Sequence, residues 1–99
     1  MNITVKKPTE QEKAEMQSMP TWGCDVSEFD WYYDSEETCL IIEGEVEVTP
    51  VGARHASPSP HGHASPSTHI HAGDYVIFPK GLSCVWKVTK PIRKHYVFK

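Results

Sequence analysis

Ninety-nine residues, 38% of them hydrophobic and 10% aromatic, are enough to bury one core and too few for two. The formal charge of −3 argues against a nucleic-acid partner, which calls for a basic face. The longest apolar run, Cys39-Leu40-Ile41-Ile42, is far too short to span a bilayer, and Met1 to Lys7 contains no apolar stretch like a secretory signal. The expectation is a soluble, cytoplasmic protein with no membrane partner. Cys24, Cys39 and Cys84 are an odd, widely spaced set without a CxxC, which fits reduced thiols. Cys24 and Cys39 read as small apolar core residues.

In chain order, Ile3 and Val5 alternate with polar neighbours as a short strand. Thr9-Glu10-Gln11-Glu12 is a capping box that opens a helix from Glu10 to about Gln17, and Pro20 ends it. From Phe29 the period becomes two, with Phe29, Trp31 and Tyr33 on one face. Thr38 to Ile42 is a continuous apolar strand. Glu43-Gly44 reads as a turn, and Glu45-Val46-Glu47-Val48-Thr49 as the returning arm of a hairpin with valines in and glutamates out. Tyr75 to Phe78 is a further strand, Pro79-Lys80-Gly81 a turn, Ser83 to Val88 a strand, and Ile92 to Phe98 the last. Many short strands separated by Gly and Pro turns indicate an antiparallel sandwich or barrel.

Between Gly52 and Ala72 the composition shifts to His, Ala, Ser and Pro. The octapeptide from His55 to Gly62 is followed by a near copy from His63 to Ile70, a short expansion and not a solenoid. This tract has little to bury, and Pro58, Pro60 and Pro66 remove backbone donors, so 53–68 reads as a mobile inserted hairpin tip.

Two spaced patterns decide the fold. Gly73-Asp74-Tyr75-Val76-Ile77-Phe78-Pro79-Lys80-Gly81-Leu82-Ser83-Cys84 keeps the spacing of the second cupin motif, G(X)5PXG(X)2H(X)3N, with Cys84 in the histidine place and Val88 in the asparagine place. Upstream, Trp31 and Tyr33 occupy the histidine places of the first motif, HXH(X)3E(X)6G, while Glu37 and Gly44 keep theirs. Ser27-Glu28-Phe29-Asp30-Trp31, Glu43-Gly44-Glu45-Val46-Glu47-Val48, Phe78-Pro79-Lys80-Gly81-Leu82, and Trp86 with Arg93-Lys94-His95-Tyr96 add to the likeness. Over residues 20–98, outside the insert, the chain resembles the small cupins related to the ureidoglycine aminohydrolase cupin domain and the ethanolamine-utilisation cupins. That resemblance implies an all-β fold: a small antiparallel cupin (jelly-roll) β-barrel, here with a short N-terminal helix, forming one domain over 1–99. It also implies a homodimer, an expectation that exposed strand edges support.

Metal-dependent cupins gather three histidines and a glutamate inside the barrel. Here Glu37 remains and Cys84 is offered, whereas Trp31 has no usable lone pair. The same positions describe an aromatic-lined cavity instead. Trp31 and Tyr33 share one strand face, Cys84 and Trp86 another, and an inward Ile92 would bring Lys94, Tyr96 and Phe98 inward with it. The opposite register would put His95 inside. Each aromatic taken singly is as readily core, and Cys84 reads equally as a small apolar filler or a functional thiol. An inward Glu37 needs a partner, and Lys94 could supply it.

The sequence therefore predicts a cavity that binds a small polar or carboxylate-bearing molecule without a cofactor. Glu37, Lys94 and Tyr33 are the candidate catalytic groups, and Trp31, Cys84, Trp86 and Tyr96 the ligand-binding ones. Glu37 would give or take a proton, while Lys94 and Tyr33 hold substrate charge. The alternative is a divalent-metal protein acting through Glu37, Cys84 or the histidine-rich insert. There His61 and His63, and His69 and His71, form HXH pairs, although the last two flank an inward Ile70 and so should face solvent.

Overall fold

The computed structural model describes residues 2–51 and 67–99. In chain order its elements are β1 (Thr4–Lys6), α1 (Glu10–Met16), β2 (Thr21–Cys24), β3 (Ser27–Tyr32), β4 (Glu37–Pro50), β5 (Thr68–His71), β6 (Tyr75–Phe78) and β7 (Ser83–Phe98). All strand pairings among the described residues are antiparallel.

The two long strands β4 and β7 organise everything else. They pair with each other from Glu37↔Phe98 to Pro50↔Cys84. At the Glu37 end, β6 and then β1 extend the sheet beside β4, and β2 extends it beside β7. At the Pro50 end, β5 flanks β4 and β3 flanks β7. One sheet thus has two halves that share bent central strands, and the inner faces of the halves meet over a common core. Val46, Val48, Ile70, Trp86 and Val88 reach it from one half; Cys39, Ile41, Val76, Phe78 and Ile92 reach it from the other. This is the jelly-roll barrel that the motif spacing implies.

The bend corrects two sequence expectations. Glu43-Gly44 is not a hairpin turn; it lies inside β4, where the register against β7 slips between Ile41 and Val46. Gly44 has φ +97°, and a Cβ there would overlap the Pro91 carbonyl oxygen and stand 2.6 Å from the Ile92 Cα. A positive-φ glycine with an extra residue in the ladder is a bulge, which kinks a strand without reversing it. Likewise β7 does not stop between Val88 and Ile92. Pro91 sits opposite the bulge, where ladder hydrogen bonds are already interrupted and a missing N–H costs little.

The helix begins as its capping box requires. The Thr9 hydroxyl accepts from Glu12 N at 3.1 Å, and Glu12 Oε1 accepts from Thr9 N at 2.9 Å. Met16 is its buried residue and packs on Leu40 and Tyr75, outside the barrel. Strand β2 was not anticipated, because Thr-Trp-Gly-Cys is short and contains a glycine. Gly23 is there because the chain runs close to β7, and a Cβ would come within 2.7 Å of the Ile92 oxygen. The predicted hairpin tip ends one residue too late, since Thr68 opens β5; residues 53–66 of that tract lie outside the described residues.

Candidate functional site

Glu37 opens β4 and points inward, and alternation places Cys39 and Ile41 on the same inner face. On β7, Lys94 stands opposite Ile41 and beside Trp22 of β2. Its stem therefore runs along the inner face of β4, past Cys39, toward Glu37. Lys94 Nζ donates to Glu37 Oε2 at 2.7 Å and lies 3.6 Å from Cys39 Sγ, which in turn is 3.3 Å from the same carboxylate oxygen. Both charged side chains are almost fully enclosed, 3% exposed for Glu37 and 6% for Lys94. The register is thereby settled: Lys94 faces the barrel, and His95 turns outward, with Nδ1 2.9 Å from the Met19 carbonyl oxygen.

Aromatic rings surround the ammonium. Nζ lies 4.7 Å from the ring centre of Trp86, 5.2 Å from Trp22 and 5.9 Å from Phe78. Desolvated contacts of this type stabilise a cation by about 2 kcal/mol or more. Trp86 is fixed by its indole N–H, which donates to the Tyr33 hydroxyl at 3.1 Å, and by Phe29 stacked on it at 6.0 Å. Tyr33 is positioned from both sides. Its N–H donates to the Leu82 carbonyl and its carbonyl accepts from Gly81 N, while its ring stacks on Phe78 at 4.7 Å.

Next to the ion pair is a cavity lined by Trp22, Phe29, Trp31, Tyr33 and Trp86, with Tyr96 and Phe98 completing the wall. Its volume is about 60 Å³, and a single water needs roughly 10–15 Å³, so the space suits a molecule of a few heavy atoms. Trp31, 45% exposed, stands at its mouth. Burial, and after it the Glu37 carboxylate, pushes the Tyr33 phenol far above its ordinary range. Burial likewise pushes up the Cys39 thiol, against the pull of Lys94. Both groups stay protonated at neutral pH.

Of the residues singled out in the sequence, Glu37, Lys94, Tyr33, Trp31, Trp86 and Tyr96 all line this cavity. Cys84 does not. It is buried opposite Trp31 and beneath a separate shallow depression with Tyr32 and Val51, and burial raises its thiol to about 11. Cys39, Trp22 and Phe98 belong to the site as well. Cys39 was read only as packing, although its two-residue offset from Glu37 was the signal that could have placed it here; Trp22 carried no signal, because its strand was unread.

The motif positions do not fit a metal ion. Trp31 can only donate, and the Tyr33 oxygen already receives the Trp86 N–H. Glu37 Oε2 holds an ammonium at 2.7 Å, so a cation of the protein's own occupies the ligand that the motif retains. Among the described residues no three His, Cys, Asp or Glu side chains are placed to hold a metal ion together. His69 and His71 face outward on β5, near Glu47 and Asp74 respectively, and His61 and His63 lie outside the described residues.

Fold and site together define a cupin whose motif positions carry aromatic residues and an internal ion pair. Residues 11–96 match the EutQ-like cupin domain, and the chain belongs to that family. A DUF861 family protein from Thermotoga maritima is similar at 44% identity over 99% of this chain and 100% of that one, with a TM-score of 0.80. The ethanolamine utilization protein Q of Salmonella typhimurium shares 24% identity over 97% of this chain and 68% of its own (TM-score 0.59). EutQ of Clostridium difficile shares 17% over 97% and 66% (TM-score 0.60). These two show the fold alone. No curated protein matches. Among the described residues no helix is long and apolar enough to cross a membrane.

Proposed function

We propose that this cupin binds a small polar or carboxylate-bearing molecule in the barrel cavity, with Glu37 and Lys94 as its polar anchors. The observation that carries the reading is the enclosed Lys94–Glu37 pair at the wall of an otherwise aromatic cavity. Enclosing two charges costs several kcal/mol per ion before their attraction is counted, and apolar side chains of equal volume would fill the space at no such cost. An apolar wall with a few convergent polar groups is the usual make-up of a ligand site. Lys94 and the Tyr33 hydroxyl would hold ligand charge, Glu37 would give or take a proton, and Trp31, Trp86 and Tyr96 would enclose the apolar part. The free cysteines support a reducing compartment, the cytoplasm. Exposed Trp31, Tyr32 and Val51 around one depression support association of two copies.

A panel of small carboxylates, amides and hydroxy acids titrated against the protein tests the ligand site, read from the indole N–H resonances of Trp22 and Trp86. Binding should shift both resonances, and the Glu37→Leu/Lys94→Met double variant should weaken it at least tenfold. Ligands that leave these indoles unmoved, or that bind the double variant equally well, would sink the reading.

A further inference from the structure

The cavity wall contains a primary amine whose neighbours suit one particular chemistry. Lys94 Nζ is within 2.7 Å of a carboxylate that can take and return its proton, it is shielded from bulk water, and it borders a space sized for a few heavy atoms. A lysine amine in an apolar pocket can attack carbonyl carbon once a neighbouring base has taken its proton. We propose that Lys94 forms a reversible imine with a small, unhindered aldehyde or 2-oxo acid that enters this cavity, an inference that rests on the cavity being a ligand site.

The steps balance without any other reactant. Glu37 takes a proton from the Lys94 ammonium across their hydrogen bond, leaving a lone pair on Nζ. That pair attacks the carbonyl carbon, the C–N bond forms, and the C=O π electrons move to oxygen, which takes the proton from Glu37. Glu37 then removes a second proton from nitrogen and passes it to the hydroxyl. The C–O bond breaks, water leaves, and the nitrogen lone pair closes the C=N bond as a cationic iminium beside a carboxylate.

Charge balance allows the reaction in a site this buried. The starting state is an ammonium against a carboxylate, and the product is an iminium against the same carboxylate. The condensation itself leaves the net charge of the site unchanged, whereas a step that left one buried ion unpaired would carry the full desolvation cost. The rings of Trp86, Trp22 and Phe78 that face the ammonium face the iminium equally. Cys39, the other nucleophile in reach, donates to Glu37 and stays a neutral thiol, so it does not compete for the carbonyl. The room available restricts the carbonyl compound to a short chain.

Glyoxylate, which is both an aldehyde and a 2-oxo acid, is the probe. The protein is incubated with glyoxylate and cyanoborohydride at neutral pH, and each lysine is followed by peptide mass spectrometry. Lys94 should gain the reduced adduct at least tenfold faster than exposed Lys7 and Lys90. Glu37→Gln should slow Lys94 at least tenfold while leaving Lys90 unchanged, with folding checked through the indole resonances. Lys94 labelled no faster than Lys90 would overturn the proposal. Glycolate, which has no carbonyl to condense, separates the two levels. If glycolate moves the Trp86 indole while glyoxylate leaves Lys94 unmodified, the imine is wrong and the ligand site stands. If no member of the carboxylate, amide and hydroxy-acid panel moves the indoles and Lys94 is also unmodified, both fall.

Discussion

Glu37 and Lys94 are each unfavourable inside the barrel and tolerable only together. Truncating one partner leaves the other as an uncompensated enclosed charge, a loss of about 3–5 kcal/mol for pairs of this kind. Replacing both with apolar side chains of similar volume removes the desolvation cost along with the attraction. Lys94→Ala is therefore expected to lower unfolding free energy by about 3–5 kcal/mol, and Glu37→Leu/Lys94→Met to recover most of that loss in urea denaturation. A double variant as unstable as Lys94→Ala would show that the pair is a net stabilising element and not a tolerated one. The sequence disclosed Glu37 through its place in the first motif, and it offered Lys94 through alternation from Ile92. Cys39 escaped because a cysteine in an apolar run reads as packing until the strand face it shares with a carboxylate is considered.

At the scale of elements, the bulge at Gly44 decides the shape of the barrel. Local chemistry made Glu43-Gly44 look like a turn, since glycine at positive φ serves hairpins and bulges alike. What separates the two outcomes is whether the following valines pair back on the preceding strand or onward with β7, and that depends on a strand some fifty residues away in sequence. No local pattern contains it. The same distance hid the continuity of β7 through Pro91, whereas the capping box of α1 and the inward Ile70, set by neighbours, were legible. Gly44→Ala meets both a strained φ and an overlap with the Pro91 backbone, neither of which a flexible side chain can relieve. A loss of about 3 kcal/mol or more is expected, seen as a drop in the thermal midpoint. A shift below about 1 kcal/mol would mean that β4 and β7 can move apart at the bend.

At the scale of the molecule, three enclosed acids make stability depend on alkaline pH. Tyr33, Cys39 and Cys84 all hold their protons more tightly in the folded chain, with burial the first cause in each. Once the pH passes the ordinary thiol value of 9.0, the unfolded chain begins to lose protons that the folded one keeps, so the folded state binds more. Their contribution is fully present below that value and fades as pH rises, the Cys84 share disappearing through its folded value of about 11. The urea midpoint should therefore fall between these two values, and Cys84→Ala should flatten the fall. A midpoint constant across that window would contradict the enclosure of these groups. The family and its barrel could be read from two spaced motifs because glycines and prolines at bends are fixed by backbone geometry. The cavity's contents could be read only in part, because they depend on which side chains four separate strands bring together.

The shared pairing of β4 and β7 also gives the protein an order of assembly. Of the residue pairs that join these strands, Pro50 and Cys84 are nearest in sequence and Glu37 and Phe98 the farthest. The entropy of closing a loop grows with its length, so zipping that begins at the Pro50 end encloses the least chain at each step. Lys94, Cys39 and Glu37 belong to the far end of that zipper. In that order the ion pair meets last, and its geometry reports that the β4–β7 register is complete.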